Sequence, residues 1–421
     1  MGTTNSKVVL ALIGAGGRGS GVIRSMVRHA PGVEVKYICD VDSTRGGNII
    51  RELSKLQGYD PLYVRDMQDV FADGDVDAVV ITTPEHWHAL ATIRACHAGK
   101  DVYVEKNICL TTEEGRKMLE AAAQNKCIVQ CGTQNRSADY AFSARDYITD
   151  GKLGQIVTVK AYCMLPGSRQ WVLKEDEPVP DGLDWDMWLG PAPLVPYNVS
   201  RHKGWYDWWA YSGGAAMSGD ASHIIDLARM VLGDPSLPRN VFCAGGRVVF
   251  NDRREIPDNQ TVVFDMGDYV ISLESSQYGD YMSKTSNEVR FSDRFPEWRS
   301  NSTRIEIYGT KGVMFLGRHG GGWQVFGGNN FDIIAEGVGQ FPDKEHHRNF
   351  IECIRSRKTP NSPLEQGVLS ATMINLANLS YRSGKKLLSI DLQTGEIVGN
   401  NEAIRLDKRV FRSCYADTIN M

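Results

Sequence analysis

A histidine set between two carboxylates at helical spacing is the first candidate for acid–base chemistry in this chain. Within Ser212–Asp226, the residues Asp220, His223 and Asp226 follow one another at intervals of three, so a helix would bring all three near one face. A carboxylate one turn away can orient an imidazole as a general base. The same pattern also suits a helix cap beside a buried histidine, and the residues alone leave both interpretations open.

A lysine at the end of an apolar run is the second candidate. Glu105 and Lys106 come directly after Val102–Val104, which predicts the carboxyl end of a short strand. A lysine at such an edge can hold a hydroxyl group and stabilise negative charge that develops on its oxygen, and burial can bring its pKa toward the working range. Taken alone, a Glu-Lys dipeptide is usually a surface pair.

Aromatic side chains crowd the segment before the candidate histidine. Lys203–Trp209 holds three tryptophans and a tyrosine within five positions, among polar residues, and this order fits no amphipathic helix. Aromatic faces beside polar groups suit sugar rings, which stack their C–H faces and offer hydroxyls for hydrogen bonds. We therefore expect Trp205, Trp209 and, from a second long loop, Arg169 to bind a substrate together with His223. The alternative is that these aromatic side chains fill space beneath a long loop.

The elements that must position these residues begin with a glycine-rich turn. Lys7–Gly19 runs from an apolar stretch into Gly14, Gly16 and Gly19, the spacing of a strand followed by a turn whose backbone approaches a pyrophosphate closely. The helix that follows would direct its free N–H groups at the phosphates. Two further turn residues are expected at this cofactor, namely Gly17 and Arg18.

The second predicted strand ends in a carboxylate. Val33–Cys39 is an apolar run, and Asp40 follows it 21 residues after Gly19. At this position a carboxylate accepts hydrogen bonds from the adenosine ribose and repels a 2′-phosphate. We therefore expect NAD rather than NADP as the cofactor, against the alternative that Asp40 lies in a solvated acidic turn.

A third apolar run, Val76–Thr82, leads into the motif TTPEHWH. Ligands bind beyond the carboxyl ends of parallel strands, so this motif is expected to border the cofactor. The alternative is a helix cap with proline at the first helical position. The motif residues predicted to line the cofactor site are Thr82, Thr83, Pro84 and His88.

The pattern of strands and helices predicts two domains. Strand and helix signals alternate over the first third of the chain, which indicates an α/β, doubly wound parallel sheet of the Rossmann type. Later segments such as Gly154–Cys163 alternate at period two, which indicates an α+β domain with a large open, mostly antiparallel sheet. We expect residues 1–134 to bind the dinucleotide, 135–385 to form the substrate and oligomerisation domain, and 386–421 to be a tail packed on the body.

The bulk composition excludes several classes of protein. The 421 residues carry a net charge of −4, which gives no electrostatic reason to expect nucleic acid or an anionic membrane as a partner. No apolar run is long enough to span a bilayer. The nine cysteines are scattered without a Cys-x-x-Cys pair, which favours reduced thiols and no metal site. A cytoplasmic location is expected, or a periplasmic one if a cleaved export signal precedes this sequence.

Together these motifs resemble the glucose–fructose oxidoreductase/inositol dehydrogenase (Gfo/Idh/MocA) family. The resemblance implies an N-terminal Rossmann domain and a C-terminal domain whose open sheet forms the floor of the substrate site. Family members typically oxidise or reduce hydroxyls of sugars, inositols and glycosides with NAD(P). The matching segments, spread from residue 8 to about residue 385, are IGAGGRG, TTPEHWH, AGKDVYVEKN, GTQNRS, LDWDMWLGPAP, SGGAAMSGDASHIIDLA and HHRNFIECIRSRKTP, together with the strand-end Asp40.

The resemblance also implies roles for single residues. It supports the cofactor residues named above and adds Gln134 from the segment GTQNRS. Glu105 and Lys106 fall at the family's EKP position, which puts both beside the cofactor and makes Lys106 catalytic. His223 falls at the catalytic histidine.

Two positions depart from the family pattern. Asn107 replaces the proline of EKP. Gly219 stands where the family commonly has an aspartate four residues before the histidine, and Asp220 comes one place later. Either Asp220 takes the role of that acid or the role is absent.

The motifs therefore predict an NAD-dependent oxidoreductase that oxidises a secondary hydroxyl of a sugar or glycoside, with C3 of a glucoside as the favoured position. One alternative is an NAD-dependent glycosidase that oxidises its sugar transiently, although such family members lack the lysine that Lys106 provides. Another alternative is a non-catalytic NAD-binding sensor. A homo-oligomer, either a dimer or a tetramer, is expected to form through the open sheet.

Overall fold

The first third of the chain builds one parallel sheet. The computed structural model describes residues 7–415, and in it the strands of this sheet are β1 (Val8–Ile13), β2 (Val33–Cys39), β3 (Leu62–Val64), β4 (Ala78–Ile81), β5 (Asp101–Val104) and β6 (Val129–Cys131). Their order across the sheet is β3-β2-β1-β4-β5-β6. The order reverses between β1 and β4, where such a sheet leaves a crevice at the carboxyl ends of its strands. The predicted doubly wound sheet is confirmed, with β3 as an addition.

Helices cover both faces of this sheet because the intervening segments are amphipathic. In α1, for example, Val22, Ile23 and Met26 recur at helical spacing and are buried, while the opposite side of the helix is polar. The helices that connect these strands are α1 (Gly17–His29), α2 (Gly47–Gln57), α3 (Met67–Ala72), α4 (His88–His97) and α5 (Thr112–Asn125).

The rest of the chain contributes a ten-stranded sheet. Its strands are β7 (Ile156–Met164), β8 (Asn240–Gly246), β9 (Asn259–Asp265), β10 (Val270–Ser276), β11 (Arg304–Gly309), β12 (Gly312–Gly317), β13 (Trp323–Gly327), β14 (Asp332–Gly337), β15 (Leu388–Ile390) and β16 (Ile397–Val398). Their order is β14-β13-β12-β11-β7-β10-β9-β8-β15-β16. Among these neighbours β7 and β10 pair in parallel, and the pairs recorded on either side of them are antiparallel. The predicted mostly antiparallel sheet is confirmed.

One face of the ten-stranded sheet is covered by helices. Val159 and Ala161 of β7 point into a core that also buries Ile224 from the following helical region. The other face presents partly exposed apolar side chains such as Phe242 and Val263, and its role in oligomerisation stays a prediction. Further helices along the chain are α6 (Asp139–Thr149), α7 (Trp185–Leu189), α8 (Val199–Lys203), α9 (Ser222–Val231), α10 (Asn287–Arg290), α11 (Asp343–Ser356), α12 (Leu364–Arg382) and α13 (Asn401–Leu406).

The two sheets are tied together by late segments of the chain. Helix α11 packs on α1, and its Phe350 and Ile351 are fully buried in the core of the parallel sheet. Such burial is worth about 1.5–3 kcal/mol for each side chain. From the tail, Arg409 donates to the carbonyl of His86 at 3.1 Å and to Glu114 Oε1 at 2.9 Å. Residues on either side of the predicted boundaries at 134 and 385 therefore share packing contacts.

Residues 7–415 contain neither a membrane-spanning helix nor a cluster of metal ligands. In this part of the chain no helix is both long and apolar enough to cross a membrane. Within the same residues no group of histidine, cysteine, aspartate and glutamate side chains is arranged to hold a metal ion. The nine cysteines all lie in this part, and each is a free thiol.

Candidate active site

The glycine-rich turn after β1 is packed too tightly for side chains at two of its positions. Gly14 has a φ of +94°, and a Cβ there would lie 2.8 Å from the backbone nitrogen of Thr83. A Cβ on Gly19 would lie 2.2 Å from the carbonyl oxygen of Gly14 and 2.4 Å from Thr82 Oγ1. Gly17, in contrast, has nothing within 4 Å of a Cβ position. The start of α1 is therefore open to a ligand, as a pyrophosphate requires.

A cavity of about 480 Å³ runs from this turn along the carboxyl edge of the parallel sheet to Lys106. The lining suits a dinucleotide, because it combines the glycine backbone of the turn with polar residues at strand ends, such as Asp40 and Thr82. Every residue predicted to bind the cofactor, except Gly19 and Gln134, lines this cavity. Gly19 lies behind the turn, where it permits the close approach described above.

Gln134 does not line the cavity, but it contacts Glu105, which does. Its Nε2 atom lies 3.3 Å from the hydroxyl of Tyr103 and 3.4 Å from Glu105 Oε1. Arg18 Nε donates to the same carboxylate oxygen at 2.8 Å. The Glu105 side chain is buried, so these donors hold it against the glycine-rich turn. Glu105 thereby links the start of α1 to the strand end that carries Lys106.

Asp40 lies at the end of β2 and is fixed by backbone donors. Its Oδ2 atom accepts from the amide of Ala15 at 2.8 Å, and its Oδ1 atom accepts from the amide of Asp42 at 2.9 Å. Burial raises the pKa of Asp40, while these two hydrogen bonds oppose that rise. The nearby guanidinium of Arg45 is paired with Asp42 at 3.3 Å. Asp40 is thus held beside the turn in the position expected for a ribose ligand.

Lys106 is placed between the two sheets. The Lys106–Asn107 peptide bond is cis. Lys106 Nζ donates to the carbonyl oxygen of Ser218 at 3.3 Å. Behind it, the two ring nitrogens of His88 each lie 2.8 Å from a carbonyl oxygen, one of Asn107 and one of Thr83. His88 thus connects the ends of β4 and β5, and the lysine amine reaches across the cavity toward the second sheet.

His223 lies near the start of α9, just after a π-helical turn over Met217–Ala221. The imidazole is buried, and its Nδ1 atom has no hydrogen-bond partner. Burial lowers the pKa of His223 well below its usual value, and the positive charges of Arg318 and Lys106 lower it further. The ring is therefore neutral at neutral pH and can accept a proton. The structure brings His223 into the electrostatic range of Lys106.

The predicted support of His223 by Asp220 is corrected by the structure. Asp220 pairs with Lys284, and its Oδ1 atom lies 3.4 Å from His319 Nε2 and 3.8 Å from Arg318 Nη2. Although burial alone would raise the pKa of Asp220, the hydrogen bond from His319 and the charge of Arg318 hold it well below its usual range. The carboxylate is thus ionised at neutral pH, and it is bonded to groups other than the imidazole of His223.

The π-helical turn explains why the expected spacing fails. The prediction assumed 3.6 residues per turn, whereas Met217–Ala221 form a wider π turn, and Asp220 within it bonds to Lys284 and His319. Asp226 does not replace it, since both of its carboxylate oxygens accept from Arg136 Nε at 2.9 Å and one accepts from Ser370 Oγ at 2.7 Å. Asp226 is therefore part of a buried structural ion pair.

Of the residues predicted to bind substrate from the two long loops, only Trp205 lines the cavity. Trp205 lines the cavity, next to Tyr206. Trp209 lies elsewhere and packs its ring under the guanidinium of Arg382 at 4.8 Å. Arg169 is exposed on its loop and pairs with Asp280 at 3.0 Å, outside the cavity lining.

Glu85 is a site residue that the sequence interpretation did not single out. Its buried carboxylate lines the cavity and accepts from the amide of Gly213 at 2.9 Å and from Ser218 Oγ at 2.7 Å. Because Ser218 also accepts from Lys106, Glu85 joins the parallel sheet to the turn before His223. The sequence did contain a signal for Glu85, because this residue belongs to the motif TTPEHWH, which directly follows β4.

Comparison with known proteins identifies the family. Residues 8–133 match the profile of the Gfo/Idh/MocA oxidoreductase family, described as an NAD-binding Rossmann fold. Residues 146–245 and 310–417 match the C-terminal alpha/beta domain of the same family. The chain belongs to this family. Membership in the Gfo/Idh/MocA family makes the protein an oxidoreductase with an NAD-binding domain, and it confirms the resemblance stated from the motifs.

Two similar proteins are named as dehydrogenases, one of scyllo-inositol and one of levoglucosan. The chain is 25% identical to scyllo-inositol 2-dehydrogenase (NAD(+)) of Bacillus subtilis (strain 168) over 384 residues, which is 90% of this chain and 95% of the relative. It is 24% identical to levoglucosan dehydrogenase of Pseudarthrobacter phenanthrenivorans over 258 residues, covering 59% of this chain and 57% of that protein. The fold matches the WlbA dehydrogenase of Bordetella pertussis, solved with NADH and UDP-GlcNAcA, with a TM-score of 0.64, 20% identity and coverage of 92% and 99%.

The position of Asp40 predicts the cofactor preference of this family member. We expect NAD to bind at least about 10-fold more tightly than NADP, equal to ~1.4 kcal/mol, because a 2′-phosphate loses a ribose hydrogen bond and meets a carboxylate. Titration of both cofactors into the cofactor-free protein measures the ratio. Asp40→Ser should reduce the ratio of NAD affinity to NADP affinity. Equal affinities for the two cofactors in the unaltered protein would show that Asp40 does not bind the ribose.

Proposed function

We propose that this protein oxidises a secondary hydroxyl of a sugar or glycoside with NAD as the acceptor. The single observation that carries this proposal is that Lys106, in the wall of the predicted cofactor cavity, lies within electrostatic range of a buried, neutral His223. The names of the inositol and levoglucosan relatives support the substrate class. When bound, NAD would accept the hydride that leaves the carbon of the reacting hydroxyl group.

Lys106 is proposed to hold the oxygen of the reacting hydroxyl. Its ammonium is a fixed cation at the cavity wall, held by the carbonyl of Ser218 at 3.3 Å. Negative charge on the substrate oxygen grows as the C–H bond breaks, so this contact strengthens in the transition state. Glu85 supports the arrangement, because it fixes Ser218 Oγ at 2.7 Å.

His223 is proposed to accept the hydroxyl proton. A general base must be unprotonated at the working pH, and burial together with nearby cations keeps this imidazole neutral. The resulting imidazolium would lie close to the carboxylate of Asp220, whose charge raises the pKa of His223 against the other influences. Asp220 is therefore an electrostatic neighbour of the base and not its hydrogen-bonded partner.

A substrate panel tests the proposal and the position of oxidation. Purified protein and NAD would be mixed with glucosides, galactosides and inositols, and NADH formation followed by absorbance. We expect net NADH with at least one substrate class, and product analysis is expected to give the 3-keto sugar from a glucoside. Product release without net NADH would favour the transient oxidation of an NAD-dependent glycosidase. Cofactor binding with no turnover of any kind would favour a sensor.

Trp205 is the aromatic residue expected to contact the sugar. Trp205→Ala should raise the KM for the sugar substrate at least about 5-fold, with NAD affinity within twofold, since stacking on a sugar face contributes about 1 kcal/mol. Trp209→Ala is the matched control, because this tryptophan packs against Arg382 outside the cavity. An equal rise of KM in both variants, or a normal KM in Trp205→Ala, would contradict the assignment.

A further inference from the structure

Several cations surround Asp220, which directly follows the cavity-lining Gly219 in the chain. Lys284 pairs with its carboxylate, Arg318 Nη2 lies 3.8 Å from Oδ1, and Arg290 acts on it electrostatically from α10. His319 completes the group, and burial followed by the charge of Arg318 lowers its pKa to about 4, so that it is neutral at neutral pH. We call these five residues the Asp220 cluster. Within it, three cations face one carboxylate.

Among residues 7–415 no acceptor forms a hydrogen bond with the guanidinium group of either arginine in the Asp220 cluster. The side chain of Arg318 is only 5% exposed, and its Nε and Nη1 atoms are buried without an acceptor. Arg290 is half-buried, its Nε atom is buried without an acceptor, and no ion pair of its guanidinium is found within residues 7–415. Buried N–H groups of a cation that lack an acceptor are unfavourable unless an anion completes their surroundings.

Phe341 aligns these two guanidinium groups. The guanidinium carbon of Arg290 lies 4.0 Å from the centre of the Phe341 ring, and that of Arg318 lies 5.1 Å from it. Two positively charged guanidinium groups, which repel each other, therefore lie near the same aromatic ring. A guanidinium group recognises a carboxylate or phosphate through its N–H edges, and contact with a ring face does not use those edges.

Neighbouring groups do not neutralise the excess charge. Glu105 accepts from Arg18, which also lies 3.7 Å from Asp343. Glu85 is bonded to Ser218 and Gly213. When the cations Arg18 and Lys106 and these three carboxylates are added to the Asp220 cluster, five cations face four carboxylates. Positive charge stays in excess, and it lies beside His223, on which Arg318 and Asp220 both act.

We propose that the Asp220 cluster binds an oxyanion carried by the substrate, so that the sugar oxidised at this site bears a carboxylate or a phosphate group. The inference rests on the proposed function, since it names the class of sugar for the same site. Arg290 is the residue placed to contact this anion, because it is partly accessible and makes no ion pair within residues 7–415, where Asp343 and Asp220 act on it only electrostatically. Arg318 supplies a second, fixed positive charge behind it.

Matched substrates test the proposal. With the NAD-loaded protein, kcat/KM would be compared for glucuronate, its methyl ester, glucose and glucose 6-phosphate, and for the galactose counterparts. We expect an acidic sugar to exceed both its neutral parent and its ester at least 10-fold. The comparison of glucuronate with glucose 6-phosphate shows whether the preferred oxyanion is a carboxylate or a phosphate. Equal or better oxidation of neutral sugars would overturn the inference and leave the proposed function standing.

Arg290→Gln is the variant that isolates the anion contact. It should raise the KM for the preferred acidic sugar at least 10-fold and change the KM of the neutral sugar and the affinity for NAD less than twofold. Arg290→Lys should be intermediate, since it keeps the charge and loses the forked donors. Arg294→Gln is the control, because Arg294 is an exposed arginine of the same segment. Unchanged selectivity in Arg290→Gln would overturn the proposal.

Calorimetry separates this inference from the proposed function. If no sugar is oxidised, glucuronate and glucose 6-phosphate are titrated into the NAD-loaded protein and its Arg290→Gln variant. Binding that Arg290→Gln loses, without any turnover, would support the oxyanion site and contradict the proposed oxidation. Absence of binding by every acidic sugar would contradict the oxyanion site.

Discussion

Lys106→Ala is expected to lower kcat by about 10²–10³-fold, equal to ~2.7–4 kcal/mol of lost transition-state stabilisation. The ammonium is placed to contact an oxygen whose negative charge develops only as hydride leaves, so its removal affects the chemical step more than substrate binding. Affinity for NAD should change less than a few-fold, because the substitution leaves the glycine-rich turn and Asp40 unaltered. Steady-state kinetics and NAD titration measure the two effects.

The controls for this variant separate charge from folding. Lys106→Met keeps the apolar length of the side chain and should be nearly as slow as Lys106→Ala. Lys55→Ala removes an exposed lysine of α2 and should behave as the unaltered protein does. Turnover of Lys106→Ala near that of the unaltered protein would remove Lys106 from the reaction.

His223→Ala is expected to lower kcat by about 10²–10⁴-fold, the usual contribution of a positioned general base. His223→Gln preserves a polar side chain but cannot take up a proton in this pH range, and it should be similarly slow. The thermal unfolding midpoint and the NAD affinity of His223→Gln show whether the site is otherwise intact. Activity within a few-fold of the unaltered protein in His223→Gln would assign the proton to another group.

The pH dependence gives the same assignment an independent test. A base loses activity as pH falls through its own pKa, and the pKa of His223 lies well below its usual value because of burial and the charges of Arg318 and Lys106. We therefore expect kcat/KM to stay level between about pH 8 and about pH 6.5, where an ordinary histidine would begin to protonate. Asp220→Asn should lower kcat and shift the acid limb further down, since the carboxylate stabilises the imidazolium. An acid limb near pH 6.5 in the unaltered protein would contradict this account.

The cofactor half of the site was predictable because its determinants are local in the chain. Gly14 requires a positive φ and Gly19 a close approach to Gly14 and Thr82, so the glycine spacing itself specifies the turn. Asp40 and Lys106 each follow directly after an apolar strand, and parallel strands present their carboxyl ends at one edge. Backbone geometry and strand direction thus placed these residues before any tertiary contact was known.

The substrate half was predicted less well because its contacts join distant segments. Trp205 and Trp209 are four residues apart and have the same chemical character, yet one lines the cavity and the other packs on Arg382. Asp220 was assigned by helical periodicity, whereas the structure places it in a π-helical turn and pairs it with Lys284 and His319. A local pattern cannot reveal which of two similar side chains meets a partner that the fold supplies from elsewhere.

By itself the sequence determined the parallel sheet, the glycine-rich turn, the strand-end carboxylate and the lysine, because sterics and short-range periodicity act within a few residues. Only the tertiary structure decided the electrostatics around His223, since Glu85 reaches Ser218 across 133 positions of the chain and Lys284 reaches Asp220 across 64. Charges add through space and not along the chain. The surplus of cations at the Asp220 cluster, and with it the class of sugar that we infer, therefore emerges only when the two sheets come together.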